Sequence, residues 1–313
     1  MYPAFAWFAG LSALRVEGYS PGCSSSVDLH PGRLLGYLFL ENISFVRLKK
    51  SMFTITVDPI IFNIGHFALR WYSLILLIAI GVGIWLTARE AERKGFKKDD
   101  IYDAAVWIII TGLIGARLFH VLDHWSDEYA ANPIRALYIW EGGLAIWGAL
   151  VGGLLAGALV ARRRGWRFPK LLDAAAPGLV LAQAIGRIAC VITGDARGKP
   201  TSGPFGFAYT SPNAMVPNLG VYYTPMPVYE IIVNLGIFAL LWQLRKRNWA
   251  DGQLFLVYLV LYSLERFFLA FTSSYRILAF GLTQSQIVAV FGFVIGMVWL
   301  TWKPRTFSRQ TTS

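Results

Sequence analysis

Apolar residues in this chain gather into long runs separated by short polar clusters. Seven runs approach the roughly 20 residues a helix needs to cross a bilayer: about Phe67 to Ala88, Ile101 to Leu122, Leu144 to Val160, Leu171 to Ile192, Val228 to Leu244, Leu254 to Phe271 and Gln286 to Trp302. The pattern predicts an all-α polytopic membrane protein of about seven transmembrane helices.

The basic residues between the runs set an orientation. Arg89, Arg93, Lys94, Lys97 and Lys98 follow the first run, and Arg135 alone follows the second. Arg162, Arg163, Arg164, Arg167 and Lys170 follow the third, whereas only Arg197 and Lys199 follow the fourth. Arg245, Lys246 and Arg247 come next, then Arg276 alone, then Lys303, Arg305 and Arg309. Because cytoplasmic loops carry the excess of Lys and Arg, the C-terminus is expected inside and the N-terminus outside. The long segments, Asp123 to Gly143 and Thr193 to Pro227, then form an outer-face cap of loops, the second rich in Pro, Gly and aromatic residues. Residues 1–51 end in Arg47, Lys49 and Lys50, which break the alternation. They read as a disordered tail or as a start assigned too early, with Met52 restoring the pattern. Residues 52–303 form one transmembrane domain and 304–313 a cytoplasmic tail.

Composition sharpens this picture. The 313 residues are 56% hydrophobic and 15% charged, with a mean hydropathy of +0.50, well above a soluble domain. The net charge of +11 would suit nucleic acid, but its clustering between apolar runs assigns it to topology instead. Cys23 and Cys190 make no disulfide framework, and four scattered His residues show no ligand spacing, so neither a metal nor a cofactor is expected. No repeat of 20 to 50 residues is visible.

Candidate chemistry lies in the charges inside the runs. Arg187 and Arg117 fall toward the outer ends of two runs, and Glu265-Arg266 sits deep in the sixth. A guanidinium at membrane depth costs roughly 2.5 to 3.5 kcal/mol or more, so each needs a partner. A single Glu265 can bridge one arginine but cannot neutralise three. An anionic lipid phosphate supplies the missing charge, since the guanidinium fork matches phosphate oxygens. Glu141, Glu230, His120 and Asp195 are further polar groups at the outer rim. Gly142-Gly143, Gly148, Gly152-Gly153 and Gly157 form a small-residue face suited to close helix packing. Cys190 reads as a small buried hydrophobe.

The stretch Gly186-Arg187-Ile188-Ala189-Cys190-Val191-Ile192-Thr193-Gly194-Asp195-Ala196-Arg197-Gly198 resembles the signature of bacterial prolipoprotein diacylglyceryl transferases, Gly-Arg-aliphatic-Gly-Asn-Phe-aliphatic-Asn-x-Glu-x-x-Gly. Other segments resemble that family in order and spacing: Asp58-Pro59 to Leu69-Arg70-Trp71-Tyr72, Gly115-Ala116-Arg117 with His120, Trp140-Glu141-Gly142-Gly143-Leu144, Pro225-Met226-Pro227-Val228-Tyr229-Glu230, Arg266-Phe267-Phe268, and Leu282 with Ser285-Gln286. The resemblance runs from about Thr54 to Lys303. It implies transfer of the diacylglyceryl group of phosphatidylglycerol to the lipobox cysteine of a prolipoprotein signal peptide, in a bacterial plasma membrane and without a cofactor. It also implies roles: Arg187, Arg266, Asp195 and Tyr229 in catalysis, and Tyr72, Arg117, His120, Gly142, Gly143, Gly198 and Glu230 in substrate binding. The chain departs from the family where its third-segment His falls on Trp147, its signature Asn positions on Cys190 and Thr193, and a Glu after the sixth-helix Arg on Ala270. Asp195, His120 and Glu230 are the candidates for the base. A non-catalytic homologue that binds anionic lipid or lipopeptide, and a small-molecule transporter, are the rival readings.

Overall fold

The structure is a computed structural model describing residues 51–64, 67–138, 142–275, 277–279 and 281–302. All but Ser51 of the tail expected over residues 1–51, the tail expected over 304–313, and Trp140 and Glu141 lie outside the described residues.

Seven helices are long and apolar enough to span a membrane. They are α1 (Trp71–Arg93), α2 (Lys98–Asp123), α3 (Ile146–Arg163), α4 (Phe168–Thr193), α5 (Met226–Leu244), α6 (Gln253–Leu269) and α7 (Gln284–Trp302). Several begin or end a few residues away from the apolar runs, because helices continue into polar turns where backbone groups still pair. Their outward faces carry large apolar residues such as Trp107, Leu155, Phe291 and Trp299, all more than half exposed, as lipid contact requires. Helix α4 is central: it touches α1, α3, α5 and α6, while α2 packs on α3 and α6 on α7.

One end of the bundle is made of short basic turns. The other end collects the longer connections, where the sequence led one to expect a cap of loops, and short strands run through them. Strand β1 (Ser51–Ile55) pairs in parallel with β4 (Phe205–Tyr209); β2 (Ile60–Ile64) pairs antiparallel with β3 (Phe67–Arg70), and β5 (Ile277–Ala279) with β6 (Leu282–Thr283). The cap is therefore knitted by short ladders that satisfy backbone groups above the bundle.

The small-residue face packs helices as expected. A Cβ at Gly152 would stand 2.5 Å from the Thr111 carbonyl, and one at Gly148 would collide with Gly115, so α2 and α3 cross backbone to backbone. On the other side of the bundle a Cβ at Gly178 would stand 2.5 Å from the Gly83 carbonyl, bringing α4 equally close to α1.

These two crossings are related. α2 and α4 are both 26 residues long and start 70 positions apart, and the α1–α2 turn matches the α3–α4 turn at the same offset: Lys94-Gly95-Phe96-Lys97 with Arg164-Gly165-Trp166-Arg167, and Asp103-Ala104-Ala105 with Asp173-Ala174-Ala175. Their contacts are reciprocal. Lys94 Nζ lies 3.6 Å from Asp173 Oδ2 and Arg164 Nη2 lies 3.3 Å from Asp103 Oδ2. Phe96 and Trp166 meet edge to face at 5.2 Å, and the equivalent pairs Ala91/Ala161 and Ile101/Leu171 share one core cluster. Two copies of a helical hairpin thus face each other about a pseudo-twofold axis. A period of 70 residues is longer than that of the short repeats that leave a visible mark on a chain, and only the reciprocal contacts bring it out.

Candidate active site

Arg187 stands on the last third of α4, Arg266 near the end of α6, and Glu230 near the start of α5. The three helices bring them together. Arg187 Nε pairs with one oxygen of the Glu230 carboxylate and Arg266 Nη1 with the other. Only 1% of the Glu230 side chain is exposed, against 24% for Arg187 and 15% for Arg266. The carboxylate is thus sealed beneath two guanidiniums whose outer edges reach solvent-accessible space. Glu230 is the carboxylate that pairs with both cations; Glu265 lies within electrostatic reach of the same two arginines but forms no ion pair with either among the described residues. Nε and Nη2 of Arg266 and Nη2 of Arg187 have no protein partner among the described residues.

Glu265, which the sequence offered as the bridging acid, is not that bridge. It lies 6% exposed and accepts a hydrogen bond from Asn234 Nδ2 at 3.3 Å. Helical spacing explains the difference, since consecutive residues point about 100° apart and Arg266 and Glu265 cannot face one partner. Glu230 was legible only as a rim carboxylate, because its arginines are far along the chain.

Around the cluster stand several tyrosines. Tyr72 lies within electrostatic reach of Arg187, Cys190 and Asp195, and Tyr262 and Tyr275 within reach of Arg187, Arg266 and Glu230. Burial pushes the Tyr275 hydroxyl above its ordinary range, so it remains a donor. Sequence reasoning missed Tyr262 and Tyr275; Tyr262 was discoverable, one helical turn before Arg266. Tyr229 is half-buried beside Glu230, and its hydroxyl makes no hydrogen bond among the described residues. Cys190 is a free, buried cysteine whose Sγ lies 3.7 Å from Arg187 Nη1.

The signature turn closes over this cluster. α4 ends at Gly194, left-handed at φ +76°, and Ala196 also takes a positive φ of 53°. Asp195 Oδ1 accepts the Ala196 N–H at 2.8 Å, while its second oxygen has no partner among the described residues. Gly198 is buried: its N–H bonds the Thr224 carbonyl at 2.9 Å, and a Cβ there would stand 2.7 Å from the Thr272 carbonyl. Gly198, expected as a substrate contact, welds the turn to the segment before α5 and the segment after α6. Arg197 Nη1 donates to the Met215 carbonyl at 2.6 Å and stacks on Tyr223, and the buried Tyr209 hydroxyl donates to the Val191 carbonyl at 2.9 Å.

Arg117, expected at the headgroup, directs its donors to backbone carbonyls. Its Nε donates to the Ala136 carbonyl at 2.9 Å, Nη1 to the Gly142 and Gly143 carbonyls, and Nη2 to those of Arg135 and Tyr138. A buried guanidinium saturated by five backbone acceptors fixes the α2–α3 connection and has no fork left for phosphate. Gly142 and Gly143, at φ +89° and +77°, bind that guanidinium through their carbonyls. His120 stacks on His124 at 4.3 Å and belongs to the same region, with no contact joining it to Arg187 or Arg266 among the described residues.

Among the described residues no group of His, Cys, Asp and Glu could hold a metal ion. Fold and site together define a multi-pass membrane protein with a buried, cation-rich centre under a structured cap. The family profile described as prolipoprotein diacylglyceryl transferase matches residues 59–302. A phosphatidylglycerol–prolipoprotein diacylglyceryl transferase of Gloeobacter violaceus is 37% identical over 257 residues, covering 80% of this chain and 95% of its own length. Proteins of the same name from Halalkalibacterium halodurans and Trichormus variabilis are 35% and 36% identical, covering 80% and 78% of this chain and 87% and 89% of their own. The chain belongs to the prolipoprotein diacylglyceryl transferase family, and is a transferase by that membership.

Proposed function

We propose that this protein transfers the diacylglyceryl group of phosphatidylglycerol to the lipobox cysteine thiol of a prolipoprotein, with the capped end of the bundle on the outer side of a bacterial plasma membrane. The observation that carries the reading is the pair Arg187 and Arg266, held by one buried carboxylate with donors to spare. In the reaction the thiolate sulfur attacks the glyceryl carbon that bears the phosphate ester. A C–S bond forms, the C–O bond breaks, and glycerol phosphate leaves with the electron pair. Charge develops on the departing phosphate oxygen, where preorganised donors in a water-poor site stabilise it most.

Glu230 keeps both forks aimed and is fully engaged. Asp195, with a free carboxylate oxygen, is the better-placed acceptor for the thiol proton. Thiolate is the reactive form, and cations beside the incoming thiol favour it. Tyr72 and Tyr229 flank the headgroup position. The rival reading, a homologue that binds lipid without turnover, draws on the departures at Trp147, Cys190, Thr193 and Ala270.

Incubation of the purified protein with phosphatidylglycerol and a lipobox peptide decides between them. The transferase reading expects thioether product, reduced about 10²- to 10³-fold in Arg187→Ala. A folded protein that binds phosphatidylglycerol and forms no product would establish the binding-only reading, and full turnover by Arg187→Ala would overturn the role assigned to that arginine.

A further inference from the structure

The turns at the basic end enclose a cleft of about 380 Å³ lined by Lys94, Gly95, Phe96, Lys97, Asp100, Gly165, Trp166, Arg167 and Lys170. It lies between the two halves of the hairpin repeat and at the opposite end of the bundle from Arg187. The left-handed glycines Gly95 and Gly165, at φ +89° and +69°, reverse the chain on either side, and a Cβ at either would meet no atom within 4 Å. The Phe96 and Trp166 rings, meeting edge to face, line the cleft together.

Among the equivalent positions that line the cleft, the charge changes sign at Asp100 and Lys170. Asp100 pairs with Arg164, neutralising a cation of the second hairpin. The position equivalent to Asp100 in the second hairpin is Lys170, so the matching pair with Lys94 cannot form. Lys94 is paired with Asp173 and Arg167 with Asp251 at 2.8 Å. Lys170 is left over the Phe96 ring at 5.5 Å, and neither Lys170 nor Lys97 has a carboxylate partner among the described residues. Two unneutralised lysines thus share one cleft. By contrast, Arg245 in the α5–α6 turn is engaged by Glu90 and stacked on Trp242. Topology asks only for basic turns; it does not ask for a cleft in which cations are left without counter-ions.

We propose that this cleft is a second anion site that binds a phosphate group, Lys97 and Lys170 supplying the charge and the Phe96–Trp166 edge an apolar wall. An anionic phospholipid headgroup and a soluble phosphate share this chemistry. The site is separate from the centre at Arg187 and does not rest on the function proposed above.

The full-length protein in phosphatidylcholine nanodiscs is titrated with dioleoyl phosphatidate, and in detergent with inorganic phosphate, binding being read by native mass spectrometry and by the shift in Tm. Bound phosphatidate should persist in Arg187→Ala and weaken about five-fold for each lysine removed in Lys97→Gln and Lys170→Gln. Lys170→Asp restores the pair missing from the repeat. It should fold with an unchanged or higher Tm while losing the anion, which separates lost binding from lost structure. Lysine-dependent binding of phosphatidate alone identifies a lipid site, and lysine-dependent binding of inorganic phosphate identifies a site for a soluble phosphate; either supports the proposal. Binding of neither anion, or binding unchanged in Lys97→Gln, Lys170→Gln and Lys170→Asp, would overturn it.

Discussion

Glu230 is buried for the sake of its partners. Neutralising it in Glu230→Gln leaves two guanidiniums facing each other at membrane depth, and removing one member of a buried charged cluster costs about 3 to 5 kcal/mol. Thermal unfolding in detergent should show the loss, together with weaker phosphatidylglycerol binding. Arg117 makes the contrasting case: Arg117→Ala should lower Tm and expose the 133–143 connection to protease while leaving lipid affinity within about two-fold, since its donors are spent on backbone. A large loss of affinity with unchanged Tm would return Arg117 to the substrate. The sequence flagged both arginines by one criterion, charge inside an apolar run, and that criterion cannot tell which guanidinium meets carbonyls and which meets a carboxylate. Arg187 and Arg117 occupy equivalent positions of the hairpin repeat. Their different fates depend on α5, which brings Glu230 to one and nothing comparable to the other.

Helices in a bilayer gain little by hiding apolar surface from lipid, so close packing and a few polar contacts hold the bundle together. The α2–α3 crossing is therefore sensitive at its glycines. Gly148→Leu should force α2 and α3 apart and give a broadened, lower-temperature unfolding transition, whereas at Gly81, with open space around it, the same change should be mild. Asp173 makes a second contact of this kind. From α4 it accepts the Gly252 N–H at 2.8 Å and the Phe255 N–H at 2.9 Å, capping a helix that has no side-chain cap of its own. Asp173→Ala should cost about 1 to 2 kcal/mol, seen as lower Tm and faster amide exchange in the first turn of α6. The glycine face was legible as a packing device because small residues at helical spacing leave few alternatives. The cap by Asp173 was not, because a carboxylate 79 residues before the N–H it accepts looks like any other charge.

Across the whole molecule the cap is tied to the chain that precedes α1. Asp58 accepts the Ile60 N–H at 2.8 Å and Asn213 Nδ2 at 3.0 Å, and these donors, the Ile60 amide first, hold its carboxyl below the usual carboxylate range. A carboxyl whose folded pKa lies below its unfolded value stabilises the fold above the unfolded pKa, near 4, and that stability is lost as pH falls through the folded value. Between about pH 6 and pH 3 the Tm of the wild type should fall more steeply than that of Asp58→Ala; parallel curves would show that the tether contributes nothing. The seven spans, the alternation of basic turns and the family were all readable from the chain itself. Each rests on local composition or on short motifs, and a bilayer makes length and hydropathy of a segment nearly sufficient to define it. The pairing of Arg187 and Arg266 on Glu230, the saturation of Arg117, the strands of the cap and the facing hairpins were decided only by tertiary structure. They depend on which helices become neighbours, and contacts between residues tens of positions apart leave no mark on the spacing of either one.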